Sequence, residues 1–186
     1  MDIILNNFIL GDTEAVGELV DHYKVDLYNL CYRLTMNRHD SDDLFQQTWV
    51  KAVRHSGRFR GGEFKSWLYR ICVNQFKDDY RRRKLKRRYF QEEFVENESK
   101  EYLLNVVGAD CSAEKEYERS CDQELLIREI NALPNKQRVP IVLHYFQQMR
   151  YEEIAKILRI PVGTVKSRIN TAKKNLRTML EGEIYG

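Results

Sequence analysis

Proline and glycine are scarce: three and nine in 186 residues. So few breakers among long runs of helix formers disfavour an all-β fold. The four cysteines, Cys31, Cys72, Cys111 and Cys121, form no Cys-x-x-Cys pair. No histidine stands near them at ligand spacing, which argues against zinc or any other metal site. Cys31 and Cys72 fall in apolar helical patterns and read as buried thiols. Cys111 and Cys121 fall in a polar stretch and receive no role. No apolar run reaches membrane-spanning length and no signal peptide is recognisable, so the expected compartment is the reducing cytoplasm. A carboxylate cluster for metal catalysis and a nucleophile–base pair are both missing. Asp42 and Asp43 are adjacent and leave a helix at different angles, so they do not converge on a metal. Neither an enzyme nor a cofactor is expected.

What is present is charge in blocks. The net charge is only +3, but its distribution is uneven. Arg70 to Arg88 is strongly basic, Glu92 to Glu129 is acidic, and Arg150 to Arg177 is basic again. Two positive blocks around a negative one suggest two sites for a polyanion.

Apolar periodicity is helical on both sides of the acidic block. Gly11-Asp12 reads as a stop and restart, with Asp12 or Thr13 as N-cap. Leu19, Val20, Tyr23, Leu27, Leu30, Cys31 and Leu34 then form one helical face. Ser41 is expected to cap the next helix, through Leu44, Phe45, Trp49, Val50 and Val53. After a turn at His55–Gly62, Phe64 to Arg83 is helical, with Trp67, Leu68, Ile71, Cys72 and Phe76 inward. Residues 89–118 lose the period and read as a solvated linker. Beyond Arg119 the period returns. Leu125, Leu126, Ile130 and Leu133 mark a helix ended by Pro134. Further helices are expected at Val139–Phe146, Tyr151–Leu158 and Val162–Leu180. The expected fold is all-α: a domain at 1–88, a flexible acidic linker at 89–118, and a second domain at 119–186.

The second domain carries the most informative spacing. Tyr151 to Ile169 has the pattern of a helix-turn-helix. Ala155 is small where the helices cross, and Ile154, Leu158, Ile160, Val165 and Ile169 are apolar on the inner faces. Arg159 to Pro161 makes the turn, and Pro161 opens the second helix. Arg159 stands where glycine is favoured, at a cost on the order of 1 kcal/mol. The second helix of such a unit enters the DNA major groove. Its outward Thr164, Lys166, Ser167, Arg168, Asn170, Thr171, Lys173 and Lys174 suit base edges and phosphates. An ordinary helical hairpin with a solvated basic face has the same spacing.

The run Ile160-Pro161-Val162-Gly163-Thr164-Val165-Lys166-Ser167-Arg168 closely resembles region 4 of the extracytoplasmic-function (ECF) sigma factors of bacterial RNA polymerase. Ala132-Leu133-Pro134 with Arg138 resembles the opening of that region. Asp43-Leu44-Phe45-Gln46-Gln47-Thr48-Trp49 resembles the region 2 segment that grips polymerase. Phe59-Arg60-Gly61-Gly62 and Phe64 to Ile71 resemble the family's promoter-melting segment. Asn74, Asp78, Arg81 and Arg82 match its Asn-x-x-x-Asp-x-x-Arg-Arg end. Gln47 and Trp49 stand where Glu and Phe are usual. Asn170 and Thr171 stand where an aromatic or His followed by Arg is frequent, which bears on promoter sequence.

The resemblance implies a sigma factor that binds core RNA polymerase and promoter DNA and is held inactive by an anti-sigma factor, often at the membrane. Ser167, Asn170 and Thr171 would meet base edges of the −35 duplex, with Lys166, Arg168, Lys173 and His144 on phosphates. The loop Phe59, Arg60, Gly61, Gly62, Glu63 with Asn74 would take a flipped −10 base. Asp78, Arg81 and Arg82 would hold the adjacent strand. Asp42, Asp43, Leu44, Gln46, Gln47 and Trp49 would dock polymerase, with Leu44 and Trp49 also suited to the core. A free-standing helix-turn-helix regulator is the competing reading, and it leaves the Asp43–Trp49 and Phe64–Arg82 segments unexplained.

Overall fold

The computed structural model describes the backbone of residues 1–90 and 126–185, with side chains at 1–85 and 126–181. Every regular element among the described residues is helical. The linker expected at 89–118 falls almost wholly outside them, as do Cys111 and Cys121.

The first unit begins with α1 (Asp2–Leu10), which stops at Gly11 in the left-handed region, φ 86°. The Asp12 carboxylate then caps α2 (Thr13–Thr35), accepting from the backbone N–H of Glu14 at 2.8 Å and of Ala15 at 3.3 Å. α3 spans Arg38–Arg54. Its cap is Asn37, whose side chain accepts from the Asp40 N–H at 2.9 Å, and not Ser41 as the sequence suggested. Ser41 is buried inside the first turn, its hydroxyl 2.7 Å from Thr35 Oγ1 and donating back to the Asn37 carbonyl. A serine can occupy a helix interior when its hydroxyl returns to the carbonyl four residues earlier. A short 3-10 turn at Ser56–Arg58 leads to α4 (Phe64–Phe90).

Leu19, Leu27, Leu30, Leu34, Leu44 and Leu68 fill the centre of this unit. An aromatic cluster closes one end, with Phe8 edge-on to Phe64 at 5.3 Å and Phe59 5.4 Å from Trp67 between ring centroids. Trp67 is therefore a packing residue. Cys31 and Cys72 are both buried, with sulfurs 3.7 Å apart, and burial pushes the Cys31 thiol pKa up. Both sit as thiols in the core.

The second unit contains α5 (126–132), α6 (Asn135–Ile141), α7 (Tyr151–Leu158) and α8 (Val162–Tyr185). The single helix expected at Val139–Phe146 is instead the end of α6 followed by a π-helical turn at Val142–Phe146. The Gln147 N–H closes that turn on the Val142 carbonyl at 3.2 Å, five residues back. Pro140 lies inside α6 and has no N–H to give. Buried Val139, Ile141, Val142, Leu143, Ile154, Ile157, Val165 and Ile169 form the core of this unit.

The two units pack on each other. The Tyr69 hydroxyl on α4 donates to Gln147 Oε1 at 2.6 Å. Arg70 Nη2 donates to the Lys156 carbonyl at 3.0 Å. The Arg33 guanidinium lies 4.5 Å over the Phe146 ring, and that of Arg138 lies 5.1 Å over Phe76. No sequence pattern pointed to this contact.

Candidate nucleic-acid interface

The α7–α8 pair has the geometry its sequence suggested. Arg159 ends α7 in the left-handed region at φ 53°. Ile154, Ala155, Val165 and Ile169 are buried, and Leu158 and Ile160 are half-buried against the core. With the apolar side of α8 turned inward, Lys166, Ser167, Asn170, Thr171 and Lys173 are exposed and Arg168 is half-buried. The polar side chains meet local partners. Ser167 Oγ donates to the Thr164 carbonyl at 3.1 Å, and Thr171 Oγ1 to the Ser167 carbonyl at 2.9 Å. Lys166 Nζ sits 6.0 Å from the Tyr151 ring. His144 is half-buried, its Nδ1 2.9 Å from the Met149 carbonyl and its ring 4.7 Å from that of Tyr151. Packing thus occupies one face and one nitrogen of this histidine.

The loop before α4 makes two consecutive left-handed steps, Gly61 at φ 84° and Gly62 at φ 88°. Any side chain would be strained in either place. Glu63 Oε2 accepts from Ser66 Oγ at 2.7 Å at the start of α4, and Arg60 is exposed. Phe59 is buried in the aromatic cluster, so it cannot stack on a base in this conformation. A cleft of about 420 Å³ opens at the loop, lined by Phe59 to Gly62 and by Asp2, Leu5, Asn6 and Ile9 of α1. Asn74 is exposed on α4 and does not line it. The structure therefore does not gather the loop and Asn74 around one cleft. It supplies a wall from α1 that sequence reasoning missed. Further along α4, Asp78 lies 3.5 Å from Arg81, and Asp79 lies 2.9 Å from Arg82.

On α3, Leu44 and Trp49 are core residues, 3% and 7% exposed. Asp42 accepts from the Tyr28 hydroxyl at 2.8 Å, and Asp43 lies 3.8 Å from His39 Nε2. The exposed stripe is Asp43, Gln46, Gln47, Val50, Val53 and Arg54. Val50 and Val53, which the sequence places on this helix, are exposed, at 57% and 41%.

Two family descriptions match the chain: "Sigma-70 region 2" at residues 19–86 and "Sigma-70, region 4" at residues 123–176. The chain is 36% identical over 176 residues to "ECF RNA polymerase sigma factor SigW" of Bacillus subtilis, covering 91% of each chain. It is 32% identical over 176 residues to the "ECF RNA polymerase sigma-E factor" of Haemophilus influenzae, covering 94% of this chain and 89% of that one. The chain belongs to the ECF sigma factors. Its fold matches that of the sigma factor RpoE of Bartonella quintana, solved in complex with the anti-sigma factor NepR. The TM-score is 0.70 at 24% identity, covering 89% of this chain and 96% of that one.

In this sigma factor a cation of α8 acts on one of α4. Lys77 on α4 is half-buried, and its pKa is lowered first by burial and then by Arg168 of α8. Arg83 is bound by the Asp40 carboxylate at the start of α3, and that hydrogen bond raises its pKa. No helix among the described residues is long and apolar enough to cross a membrane.

Proposed function

We propose that this sigma factor divides promoter recognition between its two helical units while α3 docks core RNA polymerase. The observation that carries the reading is the split of α8. Val165, Ile169 and Ala172 are buried, while Lys166, Ser167, Asn170, Thr171 and Lys173 face out. A helix held by one apolar side and offering hydroxyl, amide and cationic groups on the other is suited to a major groove. Ser167, Asn170 and Thr171 read −35 base edges. Lys166, Arg168 and Lys173 hold phosphates, and His144 is a lesser phosphate contact. The loop Phe59–Glu63 and Asn74 receive the opened −10 strand, with Asp78 orienting Arg81, and Arg81 and Arg82 holding its backbone. Asp43, Gln46 and Gln47 contact polymerase, with Asp42 bracing the helix through Tyr28.

The sigma factor performs no chemical step in this reading and needs no cofactor. It works in the cytoplasm, where the polymerase is. An anti-sigma factor is its inhibitory partner, in keeping with the family.

Reading both elements requires the two units to part. Elements about 25 base pairs apart lie about 85 Å apart along the duplex at 3.4 Å per pair, whereas α4 here holds the second unit directly through the Tyr69–Gln147 and Arg70–Lys156 hydrogen bonds. The 35 residues from 91 to 125 reach at most about 120 Å, enough for the separation.

Core polymerase with the purified chain, tested for binding to promoter fragments, examines the reading. Ser167→Ala and Asn170→Ala are expected to change −35 preference, and Lys166→Ala to weaken all promoters alike. Equal, sequence-independent losses for all three would refute the assignment.

A further inference from the structure

Gln75 is 1% exposed on α4, and its primary amide is an expensive group to bury. All its hydrogen bonds run through one atom. Nε2 donates to Gln47 Oε1 on α3 and to the Asp79 carboxylate, at 3.0 Å to Oδ1 and 2.9 Å to Oδ2. With two hydrogens available, one goes to Gln47 and the other is shared across the carboxylate. The Gln75 Oε1 is buried without a partner. Asp79 Oδ1 in turn accepts from Arg82 Nη2 at 2.9 Å.

The result is one polar line: Gln47, Gln75, Asp79, Arg82. It starts on the exposed stripe of α3, crosses the α3–α4 interface, and ends at an exposed cation of α4. Stability alone does not account for it. An apolar side chain of similar size would fill the site without the orphaned carbonyl. What the amide adds is direction. It fixes the Asp79 carboxylate, which fixes the guanidinium of Arg82. The next arginine is tied to α3 as well, through Arg83 and Asp40. Arg81 has a similar ion pair with Asp78, one turn away in α4.

We infer that Gln75 is a positioning residue that sets the orientation of Arg82 and links it to Gln47. A contact on the polymerase-facing stripe thereby reaches the cation that holds the −10 strand. This rests on the reading of Arg82 as a strand-holding residue. The amide touches no nucleic acid. It pre-sets the guanidinium, so that less freedom is lost when a phosphate arrives.

A double-mutant cycle tests the inference, because coupling appears only where two residues act together. The protein is preassembled with saturating core polymerase. The probe is a single-stranded oligonucleotide carrying the non-template −10 sequence, titrated at several salt concentrations. Arg82→Ala is expected to weaken binding and to reduce the salt slope by about 0.7, the value for one phosphate contact on a single strand. Gln75→Leu is expected to weaken binding about three- to tenfold with the slope unchanged, since no charge is lost. The double variant is expected to bind like Arg82→Ala alone. Gln47→Leu breaks the line at its exposed end without touching the core. It is expected to weaken binding in the same way and to add nothing to Gln75→Leu, which keeps the test open if Gln75→Leu folds poorly.

Multiplicative losses in the double variant, or wild-type binding by both Gln75→Leu and Gln47→Leu, would overturn the positioning role and leave the strand-holding role of Arg82 intact. A silent Arg82→Ala would instead remove that reading, and the inference with it.

Discussion

Tyr69 and Gln147, 78 residues apart in sequence, are joined by a 2.6 Å hydrogen bond that ties α4 of the first unit to the second unit. Tyr69 is fully buried at the contact. The bond belongs to a conformation in which the two units, in the function proposed above, would not serve elements about 85 Å apart.

Tyr69→Phe removes the donor and leaves Gln147 Oε1 without this partner, at a cost of about 1 kcal/mol. With fluorophores on α2 and α8, energy transfer in the free protein is expected to fall in this variant. In the wild type it is expected to fall when polymerase and promoter bind. Transfer unchanged in both experiments would mean that the units bind DNA in their present arrangement.

The same tyrosine gives a pH dependence. Burial is the largest cause raising its pKa, followed by the nearby Asp26 carboxylate. A group with a raised pKa in the folded state contributes stability that is fully present below its unfolded pKa, about 10 for tyrosine. That contribution is lost as the pH climbs above it. Urea midpoints of wild type and Tyr69→Phe are therefore expected to converge between pH 9 and pH 11. A constant gap would contradict the assignment.

Core and surface on α3 separate in two measurements. Leu44→Ala is expected to cost about 2–5 kcal/mol of stability, as for other buried leucines. Val50→Asp is expected to leave stability within about 0.5 kcal/mol and to weaken polymerase binding. Val50 is 57% exposed and sits one turn from Gln46 and Gln47. A stable Leu44→Ala, or full polymerase binding by Val50→Asp, would reverse the assignment of that face.

Arg159→Gly is expected to stabilise the second unit by about 0.5 kcal/mol. Left-handed backbone costs a non-glycine residue about 1–2 kcal/mol, and part of the relief is offset by the freer unfolded chain. Arg159 adopts φ 53°, so the strain is present. Destabilisation on chemical unfolding would show that its side chain contributes more than its backbone costs.

That turn was legible in the sequence because its determinants are local. Ala155, Arg159, Val165 and Ile169 lie within four turns of helix, where apolar period and turn chemistry speak directly. Ser41 misled for a related reason. Serine and asparagine both cap helices, and only the contact of Ser41 with Thr35 settles the choice in favour of Asn37. The π-helical turn after Pro140 was hidden because an apolar run does not distinguish four-residue from five-residue closure. The apolar residues of α3 did not by themselves separate exposed Val50 and Val53 from buried Ala52 beside them. The α1 wall of the loop cleft, the Gln47–Gln75–Asp79 line and the Tyr69–Gln147 bond join residues from different helices. A single sequence carries no periodic trace of such pairs.

As a sigma factor, this chain is expected to direct core RNA polymerase to promoters through its two units. In-vitro transcription from genomic DNA with core polymerase, with and without the purified protein, tests it most directly. The expected result is a discrete set of start sites, each preceded by the same pair of sequence elements at constant spacing. Transcription no different from core polymerase alone, or starts that share no upstream element, would contradict it.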